Sequence, residues 1–364
     1  MSVQKAIDEL VASGAERGIQ VAVYRDGVQV VDAVAGLADP ATGRSVTPGT
    51  VFYNYSIGKA ATATVVHVLA ERGVFTYDTP VADLWPEFAA HGKQGVTIRH
   101  VLNHTAGVPG IPLDTTLENL CDPRHMCDAI AASELWWEPG TKIGYHAYTF
   151  GYILAEVMRR ATGKTMSQVL AEEVTGPLGI ADELYLAMPE SEHHRLAVLE
   201  DAESSGGMSL DDLPPDLPMF KAGPMTTMPN AEFGNRTDIL AAEIPAGAKT
   251  TARAMARLYA ALLGEVDGVR LISPDRLREI SALSATGTDQ VFGNEATAAL
   301  GYFIGFPGVP VLDVPTLFGV GGAGGSFACA DTATGISFAI TKNRVSSDFD
   351  TTTALSPLII EAAK

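Results

Sequence analysis

The chain has 364 residues, 46% of them hydrophobic and 19% charged, enough to bury a large core in one big domain or two. Its formal net charge of -18 repels phosphate backbones and anionic lipid surfaces, so neither nucleic acid nor a membrane is expected as a partner. Its cysteines, Cys121, Cys127 and Cys329, are odd in number and have no paired spacing. That argues against a disulfide framework and a zinc site, and it fits a reducing compartment.

The first segment, "MSVQKAIDELVASGAERG", has helical periodicity but lacks the apolar core of a signal peptide, and no apolar run is long enough to span a bilayer. The expected location is therefore the cytoplasm. "IQVAVYRDGVQVVDAVAGLAD" reads as two strands joined at Asp26-Gly27. "VFYNYSIGKAATATVVHVLAERG" passes from an extended run into a long helix. The small and apolar residues from Ala60 to Leu69 predict that this helix is buried, with Gly73 ending it.

From Asp78 to Ile180 the pattern is mostly helical, with a short helix stopped by Gly107 and a longer one, "FGYILAEVMRRATG", ended by Gly163. Residues 184–243 are rich in Pro, Gly and Met without a clear period, which predicts long loops, and loops of that length are often lids. Met208, Met219, Met225 and Met228 fall here. They fill irregular core space or face a hydrophobic substrate. A helix over "TTARAMARLYAALLG" follows, then a hairpin turning at Thr334-Gly335 and a closing helix. No internal repeat is visible.

Strands thus lie at both chain ends with helices between. The expected fold is α/β (α+β): a largely antiparallel sheet built from residues 1–77 and 244–364, flanked by helices. A mostly helical insertion covers residues 78–243.

Ser56-Ile57-Gly58-Lys59 is an S-x-x-K. On a helix, positions i and i+3 share a face, so the hydroxyl and the amine are neighbours. A lysine kept neutral by burial can take the serine proton and make the oxygen a nucleophile. A serine at a helix start also meets free N–H groups and the positive end of the dipole. The four letters alone are weak, since Ser2-Val3-Gln4-Lys5 repeats them at an exposed end, and an N-capping serine beside a solvated lysine looks the same. Ser56 differs in lying at a strand-to-helix junction within an apolar stretch.

"FYNYSIGK", then "VTIRHVLNHTAGVPG", then "WEPGTKIGYHAYTFGYILAEVMRRATG" resembles, in that order, the serine β-lactamase-like family. That family includes penicillin-binding proteins, class C β-lactamases, related esterases and some acyltransferases. The resemblance runs from about Gly18 to Asn343 and is weakest in the Pro/Met-rich region. It implies a tyrosine beside the nucleophile, from a Y-x-N motif. Here the slot reads Tyr145-His146-Ala147, with the asparagine gone, and Tyr148 is the alternative if the register slips. A phenol near a lysine ammonium would have a lowered pKa and could shuttle protons.

"FGVGGAGGS", Phe318 to Ser326, fits G-x-G-x-x-G at Gly319, Gly321 and Gly324. A dinucleotide site would need a helix next, and the following residues read as strand, turn, strand. The resemblance implies instead the family's third motif, K-T-G, at Val320-Gly321-Gly322, followed by Ala323. Loss of the lysine and threonine removes an anchor for a substrate carboxylate, which suits a neutral ester better than a lactam. The resemblance also implies that the N–H groups of Ser56 and Ala323 hold the oxyanion.

Other signals carry less. His100 and His104 have the spacing of a zinc pair, but Val101 stands where H-E-x-x-H needs its base, so no metal is expected. His104 is implied as a structural histidine at a helix end. No G-x-S-x-G occurs. The expectation is a cofactor-free serine hydrolase cleaving a small or hydrophobic ester through an acyl-enzyme on Ser56, with Lys59 and Tyr145 handling protons. Val320, Gly321, Gly322, Ala323, His146 and Tyr148 would line the substrate site. An acyltransferase on the same site is the first alternative, then a β-lactamase or D,D-peptidase, then a non-catalytic binding protein.

Overall fold

Gly18–Arg25 and Val28–Asp39 fold back on one another across Asp26 and Gly27, whose φ values of 49° and 82° are those of a tight hairpin turn. This hairpin opens a nine-stranded sheet in the computed structural model, which describes residues 1–202, 214–307, 309 and 311–363. The strand order is Arg44–Ser45, Val28–Asp39, Gly18–Arg25, Ile336–Lys342, Phe327–Asp331, Leu317–Gly321, Phe303–Ile304, Glu295–Ala298, Ala285–Thr288. Every pairing in it is antiparallel. Both chain ends therefore meet at the sheet centre, where Val21 faces Ile340 and Val23 faces Phe338. The expected fold class is the one observed. The strands from Ala285 to Ile304 were not legible, because they are only two to four residues long and "EATA" holds a single β-branched residue among Glu and Ala.

Strand alternation sorts the core into layers. Ile19, Val21, Val23, Phe338 and Ile340 pack against the terminal helices Val3–Ala12 and Asp350–Ala362. The opposite face offers Ala22, Ala328, Ala330 and Ala339 to the helix Ala252–Leu263. Small side chains there let the helix lie close to the sheet. The helix Gly58–Glu71 sits deeper, with every residue from Gly58 to Ala70 buried, as its lack of a polar face predicts.

Between the sheet halves lie short helices, including Ile98–Leu102 and Pro123–Ala132, and the longer Thr149–Thr162, closed by Gly163 at φ 74°. A small three-stranded sheet joins Phe52–Tyr53, Lys249–Thr250 and Leu184–Tyr185. It ties the segment before Ser56 to the one before the helix Ala252–Leu263. The hairpin at Thr334-Gly335 forms as expected, with Gly335 at φ 71°. No helix among the described residues is long and apolar enough to cross a membrane.

Candidate active site

The nucleophile turn is built by backbone pairing on both sides of Asn54. Asn54 donates its N–H to the Ala248 carbonyl at 2.9 Å, and Ala248 donates to the Tyr55 carbonyl at 3.3 Å. The chain then turns through Tyr55 at φ 47°, a left-handed conformation costing about 1–2 kcal/mol for a residue with a Cβ. Tyr55 is held there: its hydroxyl donates to the Asn230 carbonyl at 2.6 Å, and its ring packs on Tyr53 and Phe233. The 3₁₀ turn Tyr55–Ile57 runs straight into the helix that begins at Gly58. A Cβ at Gly58 would lie 2.2 Å from the Gly247 carbonyl carbon, so only glycine lets the helix start this close to residues 246–248. Ser56 is left half-buried on the wall of a cleft.

Lys59, one turn on, donates from Nζ to Ser56 Oγ at 3.1 Å and to the Ala246 carbonyl at 3.4 Å. It makes no ion pair with a carboxylate among the described residues. Burial without a counter-charge pulls its pKa down from 10.5 to about 7. The ring of Tyr145 lies 4.9 Å from Nζ. Burial pushes the Tyr145 phenol up to about 12, and its hydrogen bond with Ser56 only partly opposes that. The expected fall in its pKa is thus corrected: desolvation dominates both groups, and Lys59 is not a lasting ammonium. Near neutral pH about half of the molecules carry the neutral amine, beside an intact phenol.

Asp289 fixes Tyr145 from a distant part of the chain. One carboxylate oxygen accepts the Tyr145 N–H at 2.9 Å, and the other accepts those of Val291 and Phe292 at 2.8 and 2.9 Å. His104, at φ 61°, packs against both Tyr145 and Phe303, with ring centroids 5.0 and 5.3 Å away, and those two rings also touch each other at 6.1 Å. Its Nδ1 accepts the His146 N–H at 3.1 Å, and burial holds its pKa well below the ordinary value. His100 instead caps its own helix, accepting from Thr97 N–H at 3.2 Å.

The glycine-rich segment ends the strand Leu317–Gly321 and leads into the strand Phe327–Asp331, with no helix to receive a pyrophosphate. A Cβ on Gly322 would stand 2.3 Å from the Asn54 carbonyl oxygen. The bare backbone therefore presses against the nucleophile turn, bringing Ala323 to the same cleft wall as Ser56. Neither Ser56 N–H nor Ala323 N–H has a backbone acceptor among the described residues.

Gly321, Gly322, Ala323 and Tyr148 line the cleft, but two other expected residues do not. Val320 points into the main core, because strand alternation gives the cleft side to its glycine neighbour. His146 is fully buried, donating from Nδ1 to the Gly144 carbonyl at 2.6 Å and accepting at Nε2 from Val108 N–H at 3.2 Å. It bridges two loops and has no nitrogen left for a substrate. Tyr148 donates to the Thr227 carbonyl at 2.5 Å, so it is a wall residue whose hydroxyl is engaged.

The cleft has a volume of about 1020 Å³. Met219, Met228, Ile244, Phe292 and Phe349 give it apolar walls. Met208 lies outside the described residues. Lys59 is the one lysine or arginine among the described lining residues, and Asp201 and Asp348 add carboxylates. Sequence reasoning missed Asp289, Tyr55 and also Lys249. The last is a second buried lysine, donating to the Leu186 and Ala242 carbonyls at 2.8 and 3.3 Å, with its pKa pulled down to about 7 by burial.

A serine and a desolvated lysine one helical turn apart, facing a tyrosine, put the chain among the serine hydrolases of the S-x-x-K type. A family model described as Beta-lactamase matches residues 3–359, and the chain belongs to that family. It is 34% identical over 355 residues to the esterase/beta-lactamase LipL of Mycobacterium tuberculosis, a match covering 94% of this chain and 79% of that protein. Among solved structures, a family VIII carboxylesterase superposes with a TM-score of 0.88 at 33% identity, covering 99% of this chain and 95% of the other. A penicillin-binding protein homolog from Caulobacter crescentus gives 0.85 at 31%, covering 100% and 95%.

Proposed function

We propose that the protein hydrolyses small neutral carboxylic esters through an acyl-enzyme on Ser56. The observation that carries this reading is Lys59 Nζ at 3.1 Å from Ser56 Oγ with burial holding it near a pKa of 7. The neutral amine takes the hydroxyl proton as Oγ attacks the ester carbonyl. The N–H groups of Ser56 and Ala323 stabilise the oxyanion. As the carbonyl re-forms, the alkoxide leaves with a proton from Tyr145, which recovers it from the Lys59 ammonium. Water then enters, gives a proton back along the same route, and releases the acid.

Three things support an ester over a carboxylate-bearing lactam: the missing cation on the strand Leu317–Gly321, the acidic cleft rim, and the likeness to a family VIII carboxylesterase. The substrate class is a small molecule, and neither nucleic acid nor a lipid surface is among the proposed partners. Three free cysteine thiols support a reducing compartment such as the cytoplasm. The test is turnover of a neutral chromogenic ester series by wild type and Ser56→Ala, with a chromogenic cephalosporin alongside. The proposal expects ester turnover that vanishes in Ser56→Ala and exceeds cephalosporin turnover. Rapid cephalosporin cleavage with no ester cleavage contradicts it.

A further inference from the structure

The glycine loop holds itself only by two backbone bonds, Gly322 N–H to the Ser326 carbonyl at 2.8 Å and Gly325 N–H to the Gly322 carbonyl at 3.2 Å. Gly321, Gly322, Gly324 and Gly325 have no side chains to pack, and Gly324 and Gly325 sit at φ 89° and 84°. Yet this loop carries the Ala323 N–H, and a donor displaced by about 1 Å can cost about a hundredfold in rate. The Gly324 and Gly325 carbonyls are fixed from outside the loop.

Two hydroxyls fix them. The Ser346 hydroxyl shares its proton between the Gly324 carbonyl at 3.4 Å and the Asp348 carbonyl at 3.3 Å, and the Ser346 N–H donates to the Gly324 carbonyl at 3.5 Å. Thr352 Oγ1, fully buried, donates to the Gly325 carbonyl at 3.0 Å. Behind them lies a buried ion pair. Lys342 Nζ meets Glu16 Oε1 at 2.5 Å, with side-chain exposures of 3% and 1%, and also donates to Ser346 Oγ at 3.1 Å. Thr351 Oγ1 donates to the same carboxylate oxygen at 2.5 Å, while Glu16 Oε2 is buried with no partner. The network joins the loop after the first helix, the end of the strand Ile336–Lys342 and the start of the helix Asp350–Ala362 to the glycine loop. A buried ion pair with an unsatisfied oxygen is a poor source of stability, and an apolar pair often does as well. What an apolar pair cannot do is donate to Ser346 Oγ.

We infer that Thr352, together with Ser346 held by the Lys342–Glu16 pair, positions the glycine loop so that the Ala323 N–H points at the developing oxyanion. These are positioning residues: they act through the loop backbone. The inference rests on the proposed acyl-enzyme reading of Ser56.

The test uses Thr352→Val, which keeps the shape and removes the hydroxyl, and Ser346→Ala, singly and together. Measured are kcat and KM for a neutral ester, the affinity of a boronic acid that forms a tetrahedral adduct on Ser56, and Tm. Thr352→Val should lower kcat about 10- to 100-fold, in line with a misplaced oxyanion donor. KM should stay within about twofold, and boronate affinity should fall by the factor kcat loses. Thr352→Ser should restore both. If kcat and boronate affinity of the folded double variant stay within about twofold of wild type, or if Thr352→Ser fails to rescue, the inference is wrong while the Ser56 reading stands. A wild-type protein that neither cleaves esters nor binds boronate at Ser56 overturns that reading and this inference with it.

Discussion

Acidification should silence Ser56 through Lys59 before it unfolds the protein. Burial lowers the Lys59 pKa from 10.5 to about 7, and at 1.36 kcal/mol per unit this disfavours the ammonium by about 5 kcal/mol. At pH 7 about half of the molecules then carry the neutral amine, against about 0.03% for a lysine of ordinary pKa. With the amine as base, kcat/KM should fall along a slope of one, about tenfold at pH 6 and about a hundredfold at pH 5 relative to the plateau. The plateau should run from about pH 8 upward, because the Tyr145 phenol ionises only near 12. Between pH 7 and 10.5 the unfolded chain binds a proton at this lysine that the native state does not, so its contribution makes stability rise with pH there. Below pH 7 both states bind it and the contribution is flat, so loss of rate from pH 7 to 5 is not unfolding caused by Lys59. The assay is a pH profile of kcat/KM on a neutral ester, with circular dichroism at each pH. A flat profile from pH 5 to 9, or a midpoint above pH 9, refutes the reasoning.

Tyr145→Phe should keep KM and lower kcat by about 10²–10⁴, the usual worth of a positioned proton donor, as steady-state kinetics would read directly. Gly322→Ala puts a methyl 2.3 Å from the Asn54 carbonyl oxygen. The strand end must move, and kcat should drop about a hundredfold; a fully active, normally folded alanine variant contradicts the account of this glycine. A carboxylate-bearing ester should be cleaved about tenfold more slowly in kcat/KM than its neutral isostere at low salt, with the gap closing as salt rises. Equal rates at low salt would mean that a cation outside the described lining reaches the substrate.

Much of the fold was legible because the end segments have clear periodicity. "IQVAVYRDGVQVV" alternates around an Asp-Gly turn, and the helix after Ser56 has no polar face, so burial on all sides followed. The short strands near Glu295 were not legible, since the sheet edge forms them against local propensity. At the site, Ser56 and Lys59 are neighbours by helical spacing alone. Asp289 is 144 positions from Tyr145, and only its turn, with Val291 and Phe292 donating to it, has a local signature. Tyr55 gave no signal, because its left-handed backbone is imposed by Tyr53, Phe233 and Asn230 from outside. His146 and Val320 misled for one reason. Neighbours along a chain segment face different ways, and sequence order does not say which one meets the cleft.

The central claim is that Ser56 is the nucleophile, and intact-protein mass spectrometry after a fluorophosphonate tests it most directly. The account predicts one adduct per chain, mapped by peptide sequencing to Ser56, absent in Ser56→Ala and forming with the pH midpoint of Lys59 near 7. An adduct on another residue, or equal labelling of Ser56→Ala, would contradict it.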